Sequence, residues 1–321
     1  MSIAIPRRFL LAGLAGTLLA TSAAWAQSAE RLDVVATTGM IADAARAVGG
    51  DRVEVHALMG AGVDPHAYRQ TRTDIVAAAR ADLVLWHGLY LEAQMEEFLR
   101  DLSRRTRVVA VAEALARERL IAHPDYADKF DPHVWMVPGL WADVVASVRD
   151  ALIEAAPGQE AAFRANAEAH LAGIDQLGAY AGQVLATVPE DARVLVTAHD
   201  AFGYFGRAYG FEVVGIQGIS TESEAGLKRI ADLVDLLVDR GIGAVFVETS
   251  VSDRNIRALI EGAAARGHDV RIGGELYSDA MGEPGAYEGT YIGMIDHNVT
   301  TIARALGGAA PEGGMSDLLG G

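Results

Sequence analysis

The 321-residue chain has no cysteine, and only two of its 27 basic residues, Lys129 and Lys228, are lysines. Without cysteine there is no disulfide scaffold, thiolate metal site, thiol nucleophile or cysteine-borne lipid. Neither lysine stands in a Gly-Lys-Ser/Thr sequence, so the chain carries no Walker A loop and is not itself a P-loop ATPase. Basic charge is scarce overall. The 27 Lys+Arg face 43 Asp+Glu, a formal net charge of −16. That balance excludes nucleic acid as a partner, because a phosphate backbone needs a basic face. Beyond the first 26 residues no stretch reaches the roughly 18 unbroken apolar residues of a membrane span. What is present is apolar residues for cores. They make up 51% of the chain, which excludes disorder as the main state. The length argues for two domains.

Residues 1–26 read as an address. Arg7 and Arg8 form a positive start, Phe9–Ala20 is an apolar run, and Ala24-Trp25-Ala26 is a small-residue cleavage site before Gln27. The run is too short to span a bilayer, so a secretory signal peptide is expected. Its removal leaves 25 basic and 43 acidic residues, a mature charge of −18. The expected location is the periplasm, as a free protein with no lipid anchor.

The mature chain alternates short β-branched runs with helical stretches. Strands are expected at Leu32–Thr37, Val53–Met59, Leu83–His87 and Val108–Ala112, with helices at Ile41–Val48 and Thr73–Arg80. The same rhythm returns later. Strands are expected at Arg193–Thr197, Phe211–Ile216, Ala244–Glu248 and Asp269–Ile272, with helices at Ala225–Arg240 and Asp253–Arg266. Such βαβ repetition implies parallel sheets covered by helices. Between the halves, Gln159–Thr187 has no proline and no strand signal. There Phe163, His170, Leu171, Ile174, Leu177, Ala181, Val184 and Leu185 recur at helical spacing. The fold class expected is α/β, two parallel-sheet lobes joined by one long rigid helix. The expected boundaries are 1–26 for the signal peptide, 27–156 for the first lobe, 157–189 for the linking helix and 190–321 for the second lobe.

Nine histidines are present. Two occur in the same tripeptide, Asp64-Pro65-His66 and Asp131-Pro132-His133, where proline stiffens the loop. His199 directly follows the strand ending at Thr197, and Asp279 follows the last strand. Ligands of doubly wound sheets gather beyond the carboxyl ends of strands. Three imidazoles and one carboxylate, two from each half, form a metal site by ligand type. Yet the separations of 67, 66 and 80 residues match no local zinc motif, and no His-Glu-x-x-His occurs. Histidines after strands also serve structural ends, so the residues alone leave both readings open.

The longer stretches around these positions carry a resemblance. They are Asp64-Pro65-His66, Phe130–Trp135 (FDPHVW), Thr197–Phe205 (TAHDAFGYF) and Gly273–Gly282 (GGELYSDAMG). In this order and spacing, from about Asp33 to Ala305, the sequence resembles the cluster A-I solute-binding proteins of zinc and manganese ABC transporters, most of all the TroA-like members. The resemblance implies two α/β lobes joined by a long helix, with metal ligands at His66, His133, His199 and Asp279. It implies Zn(II) or Mn(II) as the transported ligand, and as partners a membrane permease with a separate ATPase subunit.

Manganese binders of this family often place Glu at the third ligand, within Glu-Gly-Ala-Phe; here it is His199 within His-Asp-Ala-Phe. Zinc binders often carry a long His-rich loop before the second ligand; here Ala116–Phe130 is short and holds only His123. Three imidazoles favour zinc by intrinsic affinity. Asp279 binding through both oxygens would suit manganese, so both metals are retained, with zinc ahead.

The expected function is capture of a divalent metal between the lobes and delivery to the permease, by a monomer that is not an enzyme. The competing readings are a secreted His3Asp metallohydrolase and a surface adhesin. Among the other histidines, His123 is expected as a solvated loop residue. His87 is expected beside the site, and His56, His170 and His268 in structural or exposed places. His297 is expected to pack or cap on the terminal helix. Glu248, ending the strand Ala244–Glu248, is a candidate to orient a ligand histidine.

Overall fold

The computed structural model describes Met1 and residues 31–124 and 126–319; apart from Met1, the expected signal peptide lies outside the described residues. In the first lobe β1 (Leu32–Ala36), α1 (Gly39–Gly49), β2 (Val53–Ala57), α2 (Arg72–Arg80), β3 (Leu83–Trp86), α3 (Glu96–Leu102) and β4 (Arg107–Ala110) follow in sequence. The strands form one parallel sheet in the order β2-β1-β3-β4. β3 is buried along its whole length, which is why it reads as an unbroken apolar run.

Two long helices come next, α4 (Pro138–Ala155) and α5 (Glu160–Leu185). Helix α5 spans 26 residues, about 39 Å at helical rise. Of the face expected from spacing it buries Phe163, Ile174, Leu177, Ala181, Val184 and Leu185, leaves His170 and Leu171 half-buried, and adds Ala167 and Tyr180. The sequence reading gives no element at α4, although Leu140, Val144, Val148 and Ala151 make an equally clear buried face. Pro138 at its first turn suits a helix start.

The second lobe contains β5 (Val194–Thr197), α6 (Gly203–Tyr209), β6 (Glu212–Gly215), α7 (Leu227–Arg240), β7 (Ala244–Glu248), α8 (Arg254–Ala264) and β8 (Arg271–Leu276). Then come α9 (Tyr291–Ala305) and α10 (Met315–Leu319). Its strands pair in parallel two by two, β5 with β6 and β7 with β8, and β5 lies beside β7. The expected last strand ends at Ile272, but β8 continues through Gly273 and Gly274. The glycine pair reads as a turn; instead it allows close packing. A Cβ on Gly274 would lie 2.3 Å from the Thr301 side chain on α9.

The fold is thus α/β with two parallel-sheet lobes and a long connecting helix. Helix α5 packs on α1, α4 and α9. One apolar cluster runs through Ile41, Val145, Leu177, Phe202, Phe246 and Met294, and so through both lobes. Shared burial of this kind makes the helix a strut, because large lobe separation would expose the common core. Among the described residues no helix is long and apolar enough to cross a membrane.

Candidate metal centre

Three of the four candidate ligands come from loops beyond strand ends, and the fourth, His133, from the segment leading into α4. His66 lies in the loop after β2, where Gly62 makes a turn with φ of 69°. That loop is tied to the start of α2. Thr71 and Asp74 form a capping box there, and the Tyr68 hydroxyl donates to Asp74 Oδ2 at 2.6 Å. His133 precedes α4, His199 follows β5, and Asp279 follows β8.

The structure brings all four together. Their ligand atoms lie within 4.8 Å of one another, and all four residues are buried. The Nε2 atoms of His66 and His133 are 3.3 Å apart, and those of His133 and His199 are 3.4 Å apart. Asp279 Oδ1 is 3.3 Å from His133 Nε2, and Oδ2 is 3.1 Å from His199 Nε2 and 4.0 Å from His66 Nε2. A tetrahedral zinc with ligands at about 2.0–2.1 Å has ligand–ligand edges of about 3.3–3.4 Å. Most of the observed separations fall close to that edge. Neither Asp279 oxygen has a hydrogen-bond partner among the described residues, although both are buried. A fully buried carboxylate needs positive charge beside it, which protonated His133 and His199 supply in the metal-free protein and a bound cation would supply in their place. The donor set fits a divalent transition metal.

Two of the histidines are held from behind by carboxylates. His133 Nδ1 donates to Asp131 Oδ1 at 2.7 Å, and the His133 backbone N–H donates to the same oxygen at 2.9 Å. His199 Nδ1 donates to Glu248 Oε2 at 2.5 Å, and its backbone N–H donates to Oε1 at 2.9 Å. Each ring is therefore fixed at two points, with its Nε2 atom turned inward. Glu248 takes the orienting place expected for it. Asp131 is an orienting group that the sequence analysis does not include, although the repeated Asp-Pro-His tripeptide is a signal for it. His66 differs: its backbone N–H donates to Asp64 Oδ1 at 2.8 Å, and no carboxylate backs its ring among the described residues.

Electrostatics follow this division. Burial alone would lower every imidazole, and it takes His66 down to about 3 despite the nearby Asp279. For His133 burial is outweighed by Asp131 and Asp279, which hold the ring up to about 9. For His199 burial is likewise outweighed, by Asp279 and Glu248, and its value lies well above the ordinary one. Burial would raise Asp279, but His199 and His133 hold it well below the usual carboxylate range.

A second layer fixes the loops. His87 Nε2 donates to the Pro132 carbonyl at 2.7 Å, beside His133 in the chain, as a near-site residue. Burial lowers its pKa to about 3. Trp135 Nε1 donates to the Ser278 carbonyl at 2.7 Å, so the His133 segment grips the residue before Asp279. The Asn298 amide clamps the Tyr277 backbone, accepting from its N–H at 2.9 Å and donating to its carbonyl at 2.7 Å. No sequence pattern singled out Asn298; its neighbour His297 instead packs on the Tyr277 ring and contacts the Glu275 carbonyl.

His123 is not solvated as expected. It is buried and its ring packs on Tyr126, because the 116–130 segment folds back through a bridge between Ala122 and Phe130. It stands outside the ligand cluster. His56 lies in β2, His170 on α5, and His268 in the turn before β8, where Nε2 contacts the Ile242 carbonyl.

Fold and site together define a class, a bilobal solute-binding protein built around a metal-type donor set. The family model described as zinc-uptake complex component A, periplasmic, matches residues 34–305, and the chain belongs to that family. It is 47% identical over 297 residues to the manganese-binding lipoprotein MntA of Bacillus subtilis, covering 92% of this chain and 97% of that one. It is 45% identical over 273 residues to the zinc-binding protein TroA of Treponema pallidum, covering 85% and 88%. The solved structure of that periplasmic zinc-binding protein superposes with a TM-score of 0.84 at 44% identity, covering 86% of this chain and 99% of the other.

These relatives correct one expectation. A free periplasmic protein with no lipid anchor was inferred from the missing cysteine, but the MntA relative is named a lipoprotein. The inference took one missing attachment chemistry as a statement about location, and it does not stand.

Proposed function

We propose that this chain is the metal-capturing component of an ABC importer. It takes Zn(II) or Mn(II) at His66, His133, His199 and Asp279 and hands the ion to a membrane permease driven by a separate ATPase subunit. With lobes at 27–156 and 190–321 and the linking segment at 157–189, two ligands come from each lobe. The observation that carries the reading is the buried cluster of three imidazoles whose Nε2 atoms converge on one buried carboxylate.

Relatives named for manganese and for zinc match almost equally, at 47% and 45% identity. Three imidazoles favour zinc by intrinsic affinity, while both Asp279 oxygens face the cluster and suit the higher coordination of manganese. The protein acts as a binder and not as an enzyme: four protein ligands fill a tetrahedral shell and leave no open position for an activated water. A single chain supplies every ligand, so a monomer suffices.

Thermal unfolding of metal-stripped protein, with and without Zn(II) or Mn(II), tests the reading. An ion at one hundred times its Kd adds about 2.7 kcal/mol of stability. Absence of any gain with either ion would refute it.

A further inference from the structure

The route by which the ion enters and leaves is marked by an asymmetry among the ligands. His133 and His199 are each pinned by a carboxylate and packed into the interior; Trp135 lies edge-on to His133 at 5.2 Å. His66 lacks such a pin, and its loop is held by Asp64 instead. Asp64 has a second task. Its Oδ1 accepts from the His66 backbone, while its Oδ2 accepts from the Thr221 hydroxyl of the other lobe.

Thr221 sits in the segment between β6 and α7. The amide of Gln217 donates within that segment to the Thr221 and Ser223 carbonyls at 3.5 and 3.3 Å, which keeps it folded as a unit. A second tie reaches the first lobe next to it, from Gln94 Nε2 to Glu222 Oε1 at 2.6 Å. Gln217 and Ile219 are buried and anchor the segment, which has open space on two sides. One side borders a cavity of about 150 Å³ shared with Asp64, Ser250 and Asn255. The other borders a cavity of about 390 Å³ shared with His123, Asp200 and Arg229. Side-chain tips, not a packed core, hold it across the lobes.

We propose that residues 217–224 form a strap over the His66 side of the site, and that Thr221 is a positioning residue that gates metal exchange through Asp64. The strap rests on the proposed metal-binding function. Its tie touches no metal-facing atom, so it acts on the barrier to passage and hardly on the bound state. Loss of one hydrogen bond of this kind changes a rate about fivefold.

The test is stopped-flow transfer of Zn(II) between the full-length protein and a chromogenic chelator. Thr221→Val is expected to speed both uptake and release about fivefold and leave the equilibrium Kd within twofold. Thr221→Ser, which restores the donor, is expected to return both rates to the wild-type values. A general loosening of the fold would instead weaken Kd and would not be rescued by serine. Unchanged rates in Thr221→Val, or a serine variant as fast as valine, would overturn the strap while leaving the metal site intact. A wild-type protein that takes up no Zn(II) and no Mn(II) would overturn the function itself, and the strap with it.

Discussion

Asp64-Pro65-His66 and Asp131-Pro132-His133 have the same sequence and build two different candidate ligands. In both, the aspartate accepts the histidine backbone N–H, at 2.8 and 2.9 Å. That much is local and follows from a proline-stiffened Asx turn. Asp131 is buried and uses the same oxygen to hold the His133 ring. Asp64 is half-buried and spends its second oxygen on Thr221. The tripeptide fixes the turn; the surroundings decide whether the ring is held. The same motif yields one candidate ligand whose ring is pinned by its own aspartate and one whose ring is not.

The largest effect should ignore this difference. His66→Ala, His133→Ala, His199→Ala and Asp279→Ala are each expected to weaken metal binding more than tenfold, about 1.4 kcal/mol or more, by isothermal titration. A ligand set in which either tripeptide histidine is dispensable would break the comparison at its root. The aspartates should then separate the two motifs. Asp131→Asn is expected to cost about tenfold in affinity, as losses behind metal-bound histidines do, and Glu248→Gln a similar amount. Asp64→Asn should cost under about threefold, because it holds backbone and strap but no ring. Equal losses at Asp64 and Asp131 would show that the ring contact is unimportant.

A subtler contrast lies in the pH dependence. His133, held up to about 9, keeps a proton at neutral pH in the metal-free protein, and the ion must displace it. Affinity should therefore rise with pH through the neutral range, and His199, also held well above its ordinary value, adds to the slope. His66, at about 3, is already neutral there and adds nothing to the slope. Asp131→Asn should lower the His133 value and flatten the curve, which chelator-competition titrations across pH would read. The smallest effect is expected at His123→Ala, under about twofold in Kd by the same titration, since that ring packs on Tyr126 away from the ligands.

Much of this was legible beforehand because it is local or periodic. The strand runs, the α5 face and the four ligand positions each leave a mark in the sequence. Helix α4 leaves one too, in its spacing of Leu140, Val144 and Val148, but it was not read. The glycine pair in β8 misled because turn chemistry and close packing both call for a missing Cβ. Long-range partners leave no pattern of their own. Nothing near Asn298 announces that it clamps Tyr277, and nothing in the loop around Thr221 announces Asp64, 157 positions away. The burial of His123 depended on a bridge between Ala122 and Phe130 that composition does not encode.

Trp135 has a consequence outside transport. Its indole lies edge-on to His133 and His87, at 5.2 and 5.0 Å between centroids, and its N–H reaches the residue before Asp279. An imidazolium quenches a neighbouring indole more strongly than a neutral imidazole does. When an ion takes the place of the proton on His133, the light emitted by Trp135 should change in step. Trp135 should then report loading with no added dye.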